Sequence, residues 1–258
     1  MWRALAVFVA CFAGGAPAQE RLLPLSELRS GVTFAGANVR AMQADDLANP
    51  GMLWVERGET LWNRSAASSG KACASCHGAA QTSMRGVAAH YPKYVGDASA
   101  VLDLEARIND CRTRRQQVPA LARESEDLLA LSAFVAYQSR GAPLAVSVDG
   151  AARAAFDRGR EFYFQRHGQM NIACTQCHDQ NWGKRLLAET ISQGNPTAFP
   201  GYRLEWQSLG SLQRRLRACL FGIRAEMPAP GAPELTDLEL YLAWRAQGLP
   251  LEAPGVRR

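Results

Sequence analysis

Long apolar runs are missing from this sequence: none of its 258 residues belongs to a stretch of the roughly 20 apolar residues that a membrane-spanning helix needs. An excess of one charge is missing too. The 29 basic and 24 acidic side chains leave a formal charge of +5, too mild a surplus to indicate a nucleic-acid partner. Glycine (22) and proline (13) are not extreme, and hydrophobic residues make up 47%, which excludes a disordered or collagen-like chain. Histidine numbers only four; cysteine, at seven, is the informative count.

The first residues account for one cysteine. Arg3 supplies a short basic start, residues 4–13 an apolar run containing Cys11, and Ala16-Pro17-Ala18 a small-residue cleavage site. That order is the one of a secretory signal peptide. The expectation is a leader over 1–18, a periplasmic location, and six remaining cysteines in an oxidising compartment.

Six exported cysteines would ordinarily suggest three disulfides, but their spacing says otherwise. Cys73-Ala74-Ser75-Cys76-His77 and Cys174-Thr175-Gln176-Cys177-His178 both read CxxCH. In that pattern two thiols add to the vinyl groups of one porphyrin and the adjacent imidazole reaches the iron. A zinc site would want two cysteine pairs close together, with no fixed histidine after each. The spacing predicts two covalently bound haem c groups, attached at Cys73, Cys76, Cys174 and Cys177.

The motifs start 101 residues apart, and their flanks repeat at that offset. Gly58 and Trp62 precede the first as Gly159 and Tyr163 precede the second. This predicts a helix in each copy, with glycine where another helix crosses closely and an aromatic facing the porphyrin. Helix-like segments follow at 104–111 and 212–219. Final apolar-periodic helices cover 127–138 and 236–246, ending near Gly141 and Gly248. The expected fold is mainly α. Two tandem cytochrome c-like domains, each with covalent haem c, span 51–143 and 152–258. A linker over 144–151 joins them, and an N-terminal extension over 19–50 follows the signal peptide.

The second axial ligand decides what such domains do. An electron-carrying cytochrome c supplies methionine from a loop well past the haem motif. Met84 stands only seven residues after His77, while Met227, in Glu226-Met227-Pro228, looks like a methionine-ligand loop. The repeat offers another pair: Leu104-x-x-Arg107-x-x-x-Cys111 aligns with Leu212-x-x-Arg215-x-x-x-Cys219. Two fates are open to these spare cysteines, one interdomain disulfide or thiolate ligation of both irons. Ligation is favoured by Arg107, Arg112, Arg114 and Arg115 near Cys111, and by Arg214, Arg215, Arg217 and Arg224 near Cys219. Thiolate donation stabilises ferric iron and suits chemistry at sulfur better than electron carriage. His90 and His167 read as surface or packing residues, and Tyr202–Trp206 as a segment shaping the mouth of the second haem.

Several segments closely resemble the SoxA family, the dihaem subunit of the SoxAX cytochrome of bacterial sulfur oxidation. They are RAMQADDLANPGMLWVERGE (40–59), YPKY (91–94), LEARINDCR (104–112), GNPTAFPGYRLEWQSLGSL (194–212) and RRLRACLFGIRAE (214–226). The resemblance implies an L-cysteine S-thiosulfotransferase that joins thiosulfate oxidatively to a cysteine of a SoxYZ-like carrier protein. It implies a heterodimer with a SoxX-like cytochrome c subunit, and an acceptor cytochrome c for the electrons. It also implies His77 and Cys111 as axial ligands of the first haem, and His178 and Cys219 of the second, active haem. Cys219 would be the catalytic cysteine, found as a persulfide, and Arg215 would contact substrate. Met227 departs from the family pattern. Two alternative functions share the motifs: a thiosulfate dehydrogenase forming tetrathionate, and a non-enzymatic dihaem electron carrier.

Overall fold

The computed structural model describes residues 23–66 and 69–258; the leader read over 1–18 lies outside the described residues. The first half forms helices α1 (Ala37–Ala44), α2 (Met52–Asn63), α3 (Cys73–His77) and α4 (Ala80–Ser83), a hairpin of β1 (Lys93–Val95) and β2 (Ala100–Leu102), then α5 (Leu104–Cys111) and α6 (Glu126–Tyr137). The second half follows the same plan. It runs through α7 (Arg153–Phe164), α8 (Cys174–His178), β3 (Arg185–Leu186), β4 (Glu189–Thr190), β5 (Gly201–Arg203), β6 (Ser208–Gly210), α9 (Leu212–Gly222), α10 (Pro233–Arg245) and β7 (Gly255–Arg257).

Helical spacing puts Val55, Gly58 and Trp62 on the buried face of α2, and Ala155, Phe156, Gly159 and Tyr163 on that of α7. Each face lies across a later helix, α2 on α6 and α7 on α10. Both crossings are built on the expected glycine. A Cβ at Gly58 would collide with the Ala130 carbonyl, and one at Gly159 with the Asp237 carbonyl. Phe156 is fully buried in the second crossing, worth about 1.5–3 kcal/mol of hydrophobic stabilisation.

The helices that carry the spare cysteines begin on matching caps. Asp103 Oδ1 accepts the Ala106 N–H at 2.7 Å, and Ser211 Oγ accepts the Arg214 N–H at 3.0 Å, each satisfying an amide that the helix leaves open. α9 runs on to Gly222, three residues beyond the expected end.

Less expected is how the halves interlock. The C-terminal strand β7 pairs parallel with β5, which pairs antiparallel with β6. The N-terminal extension closes over this sheet: Gln43 accepts the Val256 N–H at 3.0 Å and Asn49 donates to the Pro254 carbonyl at 2.9 Å. The stretch read as a linker is packed in, with Leu144 and Val146 buried. Leu144 donates to the Leu249 carbonyl and Ala145 to the Ala89 carbonyl, both at 2.9 Å.

Between the halves lies a buried polar cluster. Arg123 bridges Asp103 at 2.9 Å and Glu105 at 3.1 Å, Gln213 donates to Asp103 at 2.9 Å, and Ser211 donates to Glu124. Burial, then the charge of Asp103, pushes the Glu105 carboxyl up to about 8 against the pull of Arg123. Burial raises Glu239 in the same cluster. Among the described residues no helix is long and apolar enough to cross a membrane.

Candidate active site

The second CxxCH motif forms one helical turn, α8, which sets Cys174 and Cys177 three residues apart with His178 at its end. Gln176 reaches back to accept the Ala173 N–H at 2.8 Å and opens the turn. His178 donates Nδ1–H to the Ser192 carbonyl at 2.7 Å. That bond fixes the ring and leaves Nε2 free to bind a metal. Behind the ring there is no room for a side chain, since a Cβ at Gly194 would come within 3.0 Å of His178 Cγ.

The loop carrying Ser192 and Gly194 is long. Twenty-one positions separate His178 from Phe199, against 14 between His77 and Tyr91. The N-terminal extension straps it down. Gln193 accepts the Arg29 N–H at 2.7 Å and donates to the Glu27 carbonyl at 2.9 Å, while Asn195 donates to the Arg29 carbonyl at 2.7 Å. Asp179, next to the histidine, accepts from Tyr163 at 3.0 Å and pairs with Arg245.

Cys219 on α9 faces this turn, its thiol beside His178. Burial alone would raise the thiol. The nearness of His178 and the positive fields of Arg215 and Arg203 outweigh it and bring the group down to about 7. A thiolate is therefore populated near neutrality. Arg215, one turn earlier, is half-buried, and its guanidinium makes no ion pair or hydrogen bond among the described residues. Arg203 is 4% exposed and pairs with Glu205 at 2.7 Å. Arg203 and Arg214 lie over Trp206, 5.1 and 4.1 Å from a ring centroid. Tyr202, grouped with Trp206 on the sequence, turns instead to the first-half core beside Trp54, with ring centroids 5.9 Å apart.

The first motif, α3, repeats this plan with different surroundings. Ser75 accepts the Ala72 N–H at 3.0 Å, and His77 lies beside the Trp62 ring at 5.6 Å. Trp62 itself donates to the Gly78 carbonyl at 3.0 Å. Cys111 faces Cys73 and Cys76. Burial raises its thiol and Asp110 adds to the rise, against the pull of Arg107 and Arg115. Arg107 is already paired, with Asp110 at 2.7 Å. Cys111 and Cys219 are both free thiols, each turned to its own motif rather than joined in a disulfide.

Met84 packs against the first-half core. Met227 lines an open groove of about 320 Å³ with Arg214, Arg217, Ala218 and Phe221. Helical spacing sets these α9 residues on a different face from Cys219. His90 and His167 each bond a backbone carbonyl, of Ala145 and Phe162, at 2.8 Å, as packing residues do. In both turns the donor set fits haem c: two thiols in CxxCH spacing, an adjacent imidazole, and a facing cysteine sulfur.

Known proteins resemble this chain. The SoxA/TsdA cytochrome c domain model matches residues 57–144. The L-cysteine S-thiosulfotransferase subunit SoxA of Pseudaminobacter salicylatoxidans is 41% identical over 91% of this chain and 82% of its own length. The subunit of that name from Rhodovulum sulfidophilum is 42% identical over 90% of this chain and 80% of its own.

The chain belongs to the SoxA family. Its mainly helical cytochrome c fold is that of the crystal structure of SoxXA from P. pantotrophus, with a TM-score of 0.85 at 34% identity, covering 89% of this chain and 86% of that one. Sequence reading of this chain missed Ser192, which orients His178, and named the segment 202–206 without singling out Arg203, which adds a cation near Cys219. Extending the alignment of the two helices upstream would have found the second. Position 203 corresponds to Val95, so a buried cation replaces an apolar residue.

Proposed function

We propose that this chain is the catalytic subunit of an L-cysteine S-thiosulfotransferase, with Cys219 as the reacting residue. The observation that carries the reading is a cysteine on α9 facing His178 of the second CxxCH turn, with an arginine one turn away that has no partner among the described residues. Two haem c groups are held, one in each cytochrome c-like domain (51–143 and 152–258). The first is attached at Cys73 and Cys76 with His77 and Cys111 as axial residues, the second at Cys174 and Cys177 with His178 and Cys219. Bound there, haem c supplies one-electron redox chemistry beside the Cys219 sulfur.

Arg215 grips the sulfonate end of thiosulfate through parallel N–H donors and leaves the outer sulfur pointing at Cys219. A bond forms between that sulfur and the Cys219 sulfur, in its thiolate or persulfide form. Two electrons leave to an acceptor cytochrome c. A cysteine thiolate on a SoxYZ-like carrier protein then attacks the transferred sulfur; the new sulfur–sulfur bond forms as the bond joining that sulfur to the enzyme breaks, and Cys219 departs in the form in which it reacted, thiolate or persulfide. The family's SoxXA structure supports a heterodimer with a SoxX-like cytochrome. The leader-like order of residues 1–18 supports a periplasmic location for the reaction.

Mass spectrometry of the Cys219 peptide tests the reading. An added sulfur atom at rest, or an added thiosulfate sulfur unit after substrate, is expected. An unmodified Cys219 in an enzyme that still conjugates the carrier overturns it. Tetrathionate formed without carrier would favour a thiosulfate dehydrogenase. Low-temperature EPR without a histidine/thiolate signature would favour a plain electron carrier.

A further inference from the structure

The two copies align residue by residue from the helix cap back through the hairpin. Cys111 and Cys219 lie 108 positions apart, as do Tyr91 and Phe199, Val95 and Arg203, and Asp110 and Ala218. The hairpins match as well, β1 with β2 and β5 with β6, both antiparallel. The arginine one turn before the cysteine is common to both copies, but its surroundings are not.

In the first copy Arg107 is occupied. Asp110, three residues along the helix, takes it at 2.7 Å, and the Tyr91 hydroxyl lies near enough to feel its charge. In the second copy the corresponding residues are Ala218 and Phe199, and neither side chain has an acceptor. Arg215 is left with no partner among the described residues. A half-buried guanidinium without a protein acceptor keeps its donors open to solvent, where a small oxyanion can take them.

We propose that Phe199 and Ala218 determine which haem site accepts substrate: by offering Arg215 no acceptor they keep its guanidinium open to the sulfonate of thiosulfate, whereas Tyr91 and Asp110 close the first site to anions. Resting on the assignment of Arg215 and Cys219 above, this names the residues that confer the specificity. Arg203 strengthens the same bias, placing positive charge near Cys219 where the first copy has Val95.

The test rebuilds the first copy's wiring in the second, in the holoenzyme with its partner subunit. Ala218→Asp sets a carboxylate three residues after Arg215, the spacing of the Arg107–Asp110 pair. Ala218 lines the open groove, so the larger side chain has space. The expected result is a rise in KM for thiosulfate of about 10–100-fold, the worth of a charged hydrogen-bond pair, with haem content and the EPR signature of the second haem unchanged. Ala218→Asn, of the same size without the charge, should change KM far less. Phe199→Tyr should raise KM in the same direction, and it carries the test if Ala218→Asp fails to fold. Arg215→Gln separates the two levels. If it leaves KM unchanged, the assignment of Arg215 falls, and this proposal with it. If Arg215→Gln raises KM while Ala218→Asp and Phe199→Tyr do not, or if Asp and Asn at 218 act alike, the assignment stands and this proposal is overturned.

Discussion

Cys111 and Cys219 stand at the same point of a repeated helix, each facing its own CxxCH turn, yet their thiols are pushed in opposite directions. Cys111 is raised by burial and by Asp110. Cys219, also buried, is brought down to about 7 by His178 and the nearby arginines. Both copies carry the same ligand residue types, but their surroundings differ: His178, Arg215 and Arg203 act together on Cys219, whereas at Cys111 the charge of Asp110 works against Arg107. A duplicated motif can thus keep its cysteines and histidine in both copies while, among the described residues, only one leaves the arginine near the spare cysteine without a partner.

The largest expected effect tests this asymmetry directly. Cys219→Ala should lower thiosulfate conjugation to the carrier by about 10³-fold or more, as loss of a covalent nucleophile does. Cys111→Ala should leave turnover of the same order. Product assays on both variants, at matched haem content, decide; equal losses would mean that the copies share the work.

A second prediction concerns what the copies have in common. Gly58 and Gly159 hold equivalent helix crossings, and a methyl group at either meets a backbone carbonyl. Gly58→Ala and Gly159→Ala should each cost about 1–3 kcal/mol in denaturant unfolding. A neutral substitution at either site would show that its crossing has slack and that the copies differ in architecture as well as in wiring.

The smallest effect belongs to the seam between them. Glu105 is raised from 4.5 to about 8 by burial and by Asp103, so over that interval the folded chain holds a proton that the unfolded chain has lost. Stability should therefore fall as pH rises from about 4.5 to about 8. Glu105→Gln removes that dependence: its melting temperature should match the parent near pH 5 and exceed it by a few degrees near pH 8. A constant difference between the two across this range would show that the carboxyl is already ionised in the fold.

Much of the site was legible because covalent chemistry is local in sequence. Cys73, Cys76, Cys174 and Cys177 announce themselves by spacing, with His77 and His178 adjacent. The helix crossings were legible for a related reason, since Gly58 and Gly159 sit at fixed distances from the motifs. Ser192 was not legible. It contributes a backbone carbonyl, which every residue has, and only the folded loop says which carbonyl meets His178. The parallel pairing of β7 with β5 was hidden as well, because a three-residue strand more than 50 positions from its partner leaves no periodic signal.

The sequence by itself determined two CxxCH turns, a spare cysteine for each, mainly helical copies, and glycines where helices must cross, because each of these depends on neighbours within a turn or a fixed repeat. Only the tertiary structure decided the rest. It put Glu105 and Glu239 into one buried seam with Arg123. It drew the N-terminal extension over the loop behind His178, and among the described residues it left Arg215 without an acceptor while Arg107 found Asp110. Electrostatic character depends on which charges lie within a few ångströms after folding, and distances of that kind are not written along the chain.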